Sequence, residues 1–232
     1  IYQLTHDTQT PMQGVVFGIF VRGSDERVAT LTTNAEGRAE VYISQGDYEI
    51  RELQTNGGYA LESEPILVTA DWAAVYRYEI TNEKTRVTLN KEDGLTGEPL
   101  PGAEFTVLDQ SGVEVYRGIT DTNGQVIIEG LMPGTYTYTE TVAPIGFARD
   151  KSTFTFELDA YGVVTGDVSI ENTPMALMVW KTSTLADTGL EGMGFTLTDA
   201  ATGEIIKVIW DNDLQAYVPT SHVRVLGAVV GE

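Results

Sequence analysis

A segment reading TPMQGVVFGIF, from Thr10 to Phe20, returns as EPLPGAEFTVL from Glu98 to Leu108 and, more faintly, as TGLEGMGFTLT from Thr188 to Thr198. Each is a turn, a glycine and then a strand-like run carrying Phe. Later landmarks recur in the same order: QGDYEIRELQTNGGY (Gln45 to Tyr59) matches PGTYTYTETVAPIGF (Pro133 to Phe147), and YRYEITNEK (Tyr76 to Lys84) matches GDVSIENTP (Gly166 to Pro174). A period of roughly 90 residues therefore organises the chain into two full units and the opening of a third.

Within a unit the apolar residues fall at every second position, as in VYI (Val41 to Ile43), YEIRE (Tyr48 to Glu52), TYTYTE (Thr135 to Glu140) and STFTFELD (Ser152 to Asp159). That spacing puts one face of an extended chain on a core and the other in water. Clusters such as TDTNGQ and LMPGT separate the runs at hairpin-like intervals, and no segment has the periodicity of an amphipathic helix. The expected class is all-β, built of small antiparallel β-sandwiches in tandem. The units expected are 1–83, 84–174 and an incomplete 175–232. Their short linkers suggest a fairly stiff rod. After HVRVLGAVVGE nothing resembles the closing landmarks of the earlier units.

Composition narrows the function. Acidic residues number 34 against 14 basic ones, a formal charge of -20 over 232 residues, which argues against nucleic acid as a partner. No run approaches the ~18 apolar residues of a membrane span, and the first residues lack the layout of a signal peptide, so the chain reads as a soluble part of something larger. There is no cysteine, so any covalent staple has to be something other than a disulfide. Two histidines in different units do not make a metal site, and DNDLQAY (Asp211 to Tyr217) lacks the later ligands of a calcium loop. No metal and no cofactor are expected.

Three stripes of the second unit end in polar residues on the core face: Val87 and Leu89 lead to Lys91, Tyr136 and Tyr138 to Glu140, Val168 and Ile170 to Asn172. A buried, isolated charge is costly, so these groups should meet or at least one should be neutral. A buried Lys-Glu salt bridge with an amide nearby, or a lysine reaching out past a strand end, would satisfy the pattern. So would a reaction among the three.

The strings LNKEDGLTGEPLPGAEFTV, TDTNGQVIIEGLMPGTYTYTETVAPIGF and VSIENTP closely resemble the Cna B-type (SpaA-like) domain of Gram-positive surface proteins. The resemblance covers nearly all of 85–174, more loosely 1–83, and only the opening half of 175–232. It implies a transthyretin-like or inverse-immunoglobulin sandwich and a spontaneous isopeptide bond. Lys91 matches the family's nucleophilic lysine, Asn172 the acceptor amide and Glu140 the assisting acid. In the first unit Glu52 and Asn82 hold the acid and amide positions, while Tyr2 and Leu4 lead to His6 and no lysine precedes Lys84. That unit is expected to lack the bond, with His6 either hydrogen-bonded to Glu52 or simply a strand-edge histidine. Lys181 is the third unit's candidate lysine. The family implies an extracellular, wall-anchored stalk of an adhesin or pilus-like protein, joined to neighbouring domains, with no turnover chemistry beyond self-crosslinking. A module recognising host matrix protein or glycan is the other reading.

Overall fold

The computed structural model describes residues 1–72 and 74–175 and, beyond them, only 196, 198, 203, 205, 207–211 and 216–219. Every regular element among the described residues is a strand.

The first unit comprises β1 (Tyr2–Thr5), β2 (Val16–Val21), β3 (Arg27–Thr32), β4 (Gly46–Gln54), β5 (Ile66–Ala70) and β6 (Glu79–Asn82). The second comprises β7 (Arg86–Asp93), β8 (Glu104–Leu108), β9 (Glu114–Ile119), β10 (Gln125–Glu129), β11 (Gly134–Val142), β12 (Phe154–Leu158), β13 (Val164–Gly166) and β14 (Ser169–Asn172). In each, a larger antiparallel sheet faces a smaller one: β3-β2-β4-β5 faces β1-β6, and β13-β12-β11-β8-β9 faces β10-β7-β14. The alternating residues meet between the layers. Val87, Leu89, Phe105, Val107, Ile128, Tyr138, Phe156 and Ile170 are buried in one core; Val15, Phe17, Ile19, Leu31, Ile50, Val68 and Ile80 are buried in the other. Burying a side chain of this size contributes roughly 1.5–3 kcal/mol, so the alternation is itself the main driving force for the sandwich. A further pair, β15 (Val208–Asp211) and β16 (Ala216–Pro219), forms an antiparallel hairpin.

Two details depart from the sequence reading. The first and last strands of each unit pair in parallel, Tyr2↔Glu79 to Thr5↔Asn82 and Ser169↔Asn90 to Asn172↔Asp93. Strands that are not joined by a turn are free to run the same way, and periodicity alone carries no information about which strand lies beside which. The VYI run at 41–43 lies outside every strand, and of its residues only Ile43 is partly covered by the core. Lys181 and the expected opening strand Leu177 to Lys181 fall outside the described residues.

The two units touch through backbone. Thr85 N donates to Gly58 O at 2.9 Å, Leu61 N to Ala160 O at 2.8 Å, and the Thr85 hydroxyl adds a bond to Gly58 O at 3.2 Å. Gly58 sits at φ +77, and a Cβ there would lie 2.1 Å from Gly130 O, on the second unit. Only glycine fits a left-handed backbone this close to another main chain. Gly58→Ala is therefore expected to loosen the junction while leaving both cores intact. Amide exchange at Leu61 and Thr85 should become faster, with protection inside β2, β4, β8 and β11 unchanged.

Candidate functional site

β7, β11 and β14 bring the three polar stripe ends of the second unit to one end of its core. Lys91, Glu140 and Asn172 are 0%, 2% and 2% exposed, so none can be solvated by snorkelling. Lys91 Nζ donates to Ile170 O at 2.9 Å. Ile170 is the register partner of Lys91, and Asn172 is the next residue on the same face of β14. Asn172 Nδ2 donates to Glu140 Oε1 at 2.8 Å and Oε2 at 3.1 Å, and Glu140 Oε2 also accepts from Asp150 N at 2.8 Å. Asn172 Oδ1 is buried and accepts no hydrogen bond. The backbone around Lys91 is held tightly, its N–H on Gly124 O and its carbonyl accepting from Leu100 N, both at 2.8 Å. Gly124 lies at φ +69, where a Cβ would stand 2.5 Å from Lys91 O, so this approach again requires glycine.

Burial sets the electrostatics. It lowers the Lys91 ammonium to a pKa of about 8, against the opposing pull of Glu140, Asp150, Glu171 and Glu92. Burial likewise raises the Glu140 carboxyl above its ordinary value, partly offset by the Asp150 N–H, Asn172 and Lys91. Desolvation thus pushes the pair toward neutral amine and neutral acid. Asp93, also inward on β7, has its carboxylate engaged by Leu95 N and Thr96 Oγ1, both at 2.9 Å, in the turn that follows.

In the first unit Glu52 and Asn82 are buried together, Asn82 Nδ2 donating to Glu52 Oε2 at 2.8 Å and to Ala60 O at 2.6 Å. His6 is not part of this group. It is exposed, because the inward face of β1 carries Gln3 and Thr5 while Tyr2 and Leu4 are only half-buried. Gln3, 0% exposed, is the residue that faces Asn82, and its Nε2 donates to Asn82 Oδ1. Apolar parity pointed one residue out of phase. Counting back from Gly14 and Gly102, the matched glycines of the opening turns, reaches Gln3 and Lys91 at the same spacing.

Two facing sheets of this topology, closed by a parallel pairing of first and last strands over a buried polar cluster, define a prealbumin-like β-sandwich. The chain belongs to the SpaA family of prealbumin-like fold domains, whose model matches residues 1–84 and again 85–174. It is 33% identical over 86 residues to the trypsin-resistant surface T6 protein of Streptococcus pyogenes serotype M6, a match covering 36% of this chain and 16% of that protein. Among solved structures, the Bacillus anthracis TIE protein is similar at 28% identity and a TM-score of 0.43, over 75% of this chain and 33% of that one. A shaft pilin of Lactobacillus rhamnosus GG is similar at 20% identity and a TM-score of 0.36, over 75% and 92%. The chain thus spans a small part of the T6 protein and a third of the TIE protein.

Proposed function

We propose that the chain is a stalk segment of an extracellular bacterial surface protein, anchored at the cell wall through other parts of that protein, and that its second unit staples itself by an isopeptide bond between Lys91 and Asn172. One observation carries this reading. A fully buried lysine lies one same-face position from an asparagine whose amide nitrogen is already bonded to a buried carboxyl group. Membership of the SpaA family of prealbumin-like fold domains, and the match to a streptococcal surface protein, support the stalk role and the extracellular location.

The chemistry follows from the environment. Neutral Lys91 Nζ attacks Asn172 Cγ. Glu140, held as the neutral acid, donates its O–H to Oδ1 once the carboxamide turns over, and so stabilises the oxyanion. Glu140 then relays the proton released by the attacking nitrogen to Nδ2. The Cγ–Nδ2 bond breaks, ammonia leaves, and a secondary amide Nζ–Cγ remains with Glu140 regenerated. Folding supplies the proximity, on the order of 7–11 kcal/mol for well-oriented intramolecular reactions. No cofactor enters the balance.

The intact mass of the purified chain should fall one ammonia short of its sequence, and a digest should contain a branched peptide joining the segments around Lys91 and Asn172. A properly folded chain at full mass overturns the reading. The rate should also depend on pH. The reactive pair holds one proton, so cross-linking of freshly refolded chain should slow in acid, where amine and acid are both protonated. It should slow again above about 8, where the pair gives up its one remaining ionisable proton and Glu140 can no longer act as the acid.

A further inference from the structure

The first unit repeats most of the hydrogen-bond geometry of the second. Gln3 N donates to Gly37 O at 2.7 Å and Gln3 O accepts from Met12 N at 2.9 Å, as Lys91 does with Gly124 and Leu100. Gln3 pairs with Ile80 as Lys91 pairs with Ile170. Glu52 Oε2 accepts Asn82 Nδ2 at 2.8 Å and Glu62 N at 2.7 Å, as Glu140 accepts Asn172 and Asp150 N. Even the supporting threonines agree, Thr33 Oγ1 accepting from Val15 N and Thr120 Oγ1 from Ala103 N, both at 3.0 Å. Apart from Asn82 Nδ2, which bonds Ala60 O at 2.6 Å where Asn172 Nδ2 reaches the second Glu140 oxygen, the two clusters differ at one chemical group. Where the second unit has an amine, the first has a carboxamide that occupies Asn82 Oδ1.

We propose that Glu52 and Asn82 form a second, latent cross-linking site, complete except for its nucleophile, and that Gln3 alone keeps it non-covalent. The proposal rests on the reading of Lys91 and Asn172 given above. Gln3 Nε2 already reaches the Asn82 carboxamide, and a lysine at this position is one bond longer, so its amine can close on Asn82 Cγ. An amide nitrogen cannot make that attack because its lone pair is delocalised into the carbonyl. The pocket also suits the reaction: Gln3 is fully buried with Met12 beside it, and burial raises the Glu52 carboxyl above its ordinary value, partly offset by the Glu62 N–H and Asn82. The balance is that of the second unit. The Nζ–Cγ bond forms, the Cγ–Nδ2 bond of Asn82 breaks, Glu52 carries the proton across, and ammonia leaves. Gln3 is in this sense the residue that sets how many cross-links the first two units carry.

The test is Gln3→Lys in the full chain, followed by intact mass and peptide mapping. The parent should lack one ammonia and the variant two, the second loss mapping to a branched peptide joining residues 3 and 82. Adding Glu52→Ala should return the variant to a single loss. A folded Gln3→Lys chain that loses only the one ammonia of the second unit overturns this proposal and leaves the Lys91 reading standing. A parent at full mass with a variant one ammonia lighter does the reverse, and no loss in either chain sinks both. If the first unit of Gln3→Lys stays unfolded at neutral and at alkaline pH alike, the proposal also fails, since a pocket that accepts the amine must fold around it.

Discussion

A chain carrying Lys91→Met keeps the whole mass of its sequence, and its second unit unfolds at markedly lower denaturant concentration than that of the parent. Methionine is close to the lysine stem in length and apolar character, so the cavity term is small and the loss is mainly that of the link. Closing the chain from residue 91 to residue 172 restricts the unfolded ensemble. The chain-entropy relation used for disulfides puts that restriction at about 4–5 kcal/mol for a loop of this size. For a domain this small that is a large share of total stability. The units have separate cores, so the effect should fall on one of two transitions and leave the other in place. Denaturant unfolding followed by amide exchange assigns each transition to its unit. A Lys91→Met chain with both transitions unmoved would remove the covalent staple from the account.

Glu140→Ala separates the acid from the groups it serves. Amine and amide stay on their strands, but the oxyanion loses its donor and the departing nitrogen its proton. Positioned acid-base groups contribute about 10²–10⁴-fold, so the bond should be absent or incomplete in freshly purified variant and should form slowly on storage. Mass against time measures this directly. The uncross-linked variant should also report the buried lysine through its stability. Before the bond forms, burial lowers the free Lys91 amine to about 8, against an ordinary 10.5, and removing the Glu140 carboxylate removes a group that raises it. The folded state then binds fewer protons than the unfolded one across that interval. Stability should accordingly rise with pH from below about 8 up to about 10.5 and level off beyond it. A variant whose stability is flat over this range would place the amine in solvent.

Much of the architecture was legible because the core residues are large and apolar where the strands need them. Val87 and Leu89 mark the inward face of β7, and Tyr136 and Tyr138 that of β11, so Lys91 and Glu140 could be assigned to the interior from parity alone. The same logic misplaced β1, whose inward face carries Gln3 and Thr5 while Tyr2 and Leu4 lie half-covered on the other. When a buried face is polar, alternation reports the wrong side, and the spacing to a matched glycine is the better guide. The parallel partnership of first and last strands was not legible at all. It depends on which edges meet after the sheets pack, and β7 and β14 lie far apart in the chain. The Gly58 junction was hidden for a related reason: its contact is with the main chain at Gly130, which has no side chain to leave a pattern.

The parallel register of β7 and β14 has a mechanical consequence. The chain enters the second unit at the start of one strand and leaves from the end of the other, at opposite poles of the sandwich. Tension on the two ends would shear these strands past each other, loading their hydrogen bonds together. Were Lys91 joined to Asn172 as proposed, the pull would instead cross from β7 to β14 through a single amide. The strands β8 to β13 would then hang outside the load path, free to fluctuate or unfold without lengthening the chain. In the first unit, where Gln3 and Asn82 meet only by a hydrogen bond, the same pull runs through the ladder itself, so that unit would be the first to yield.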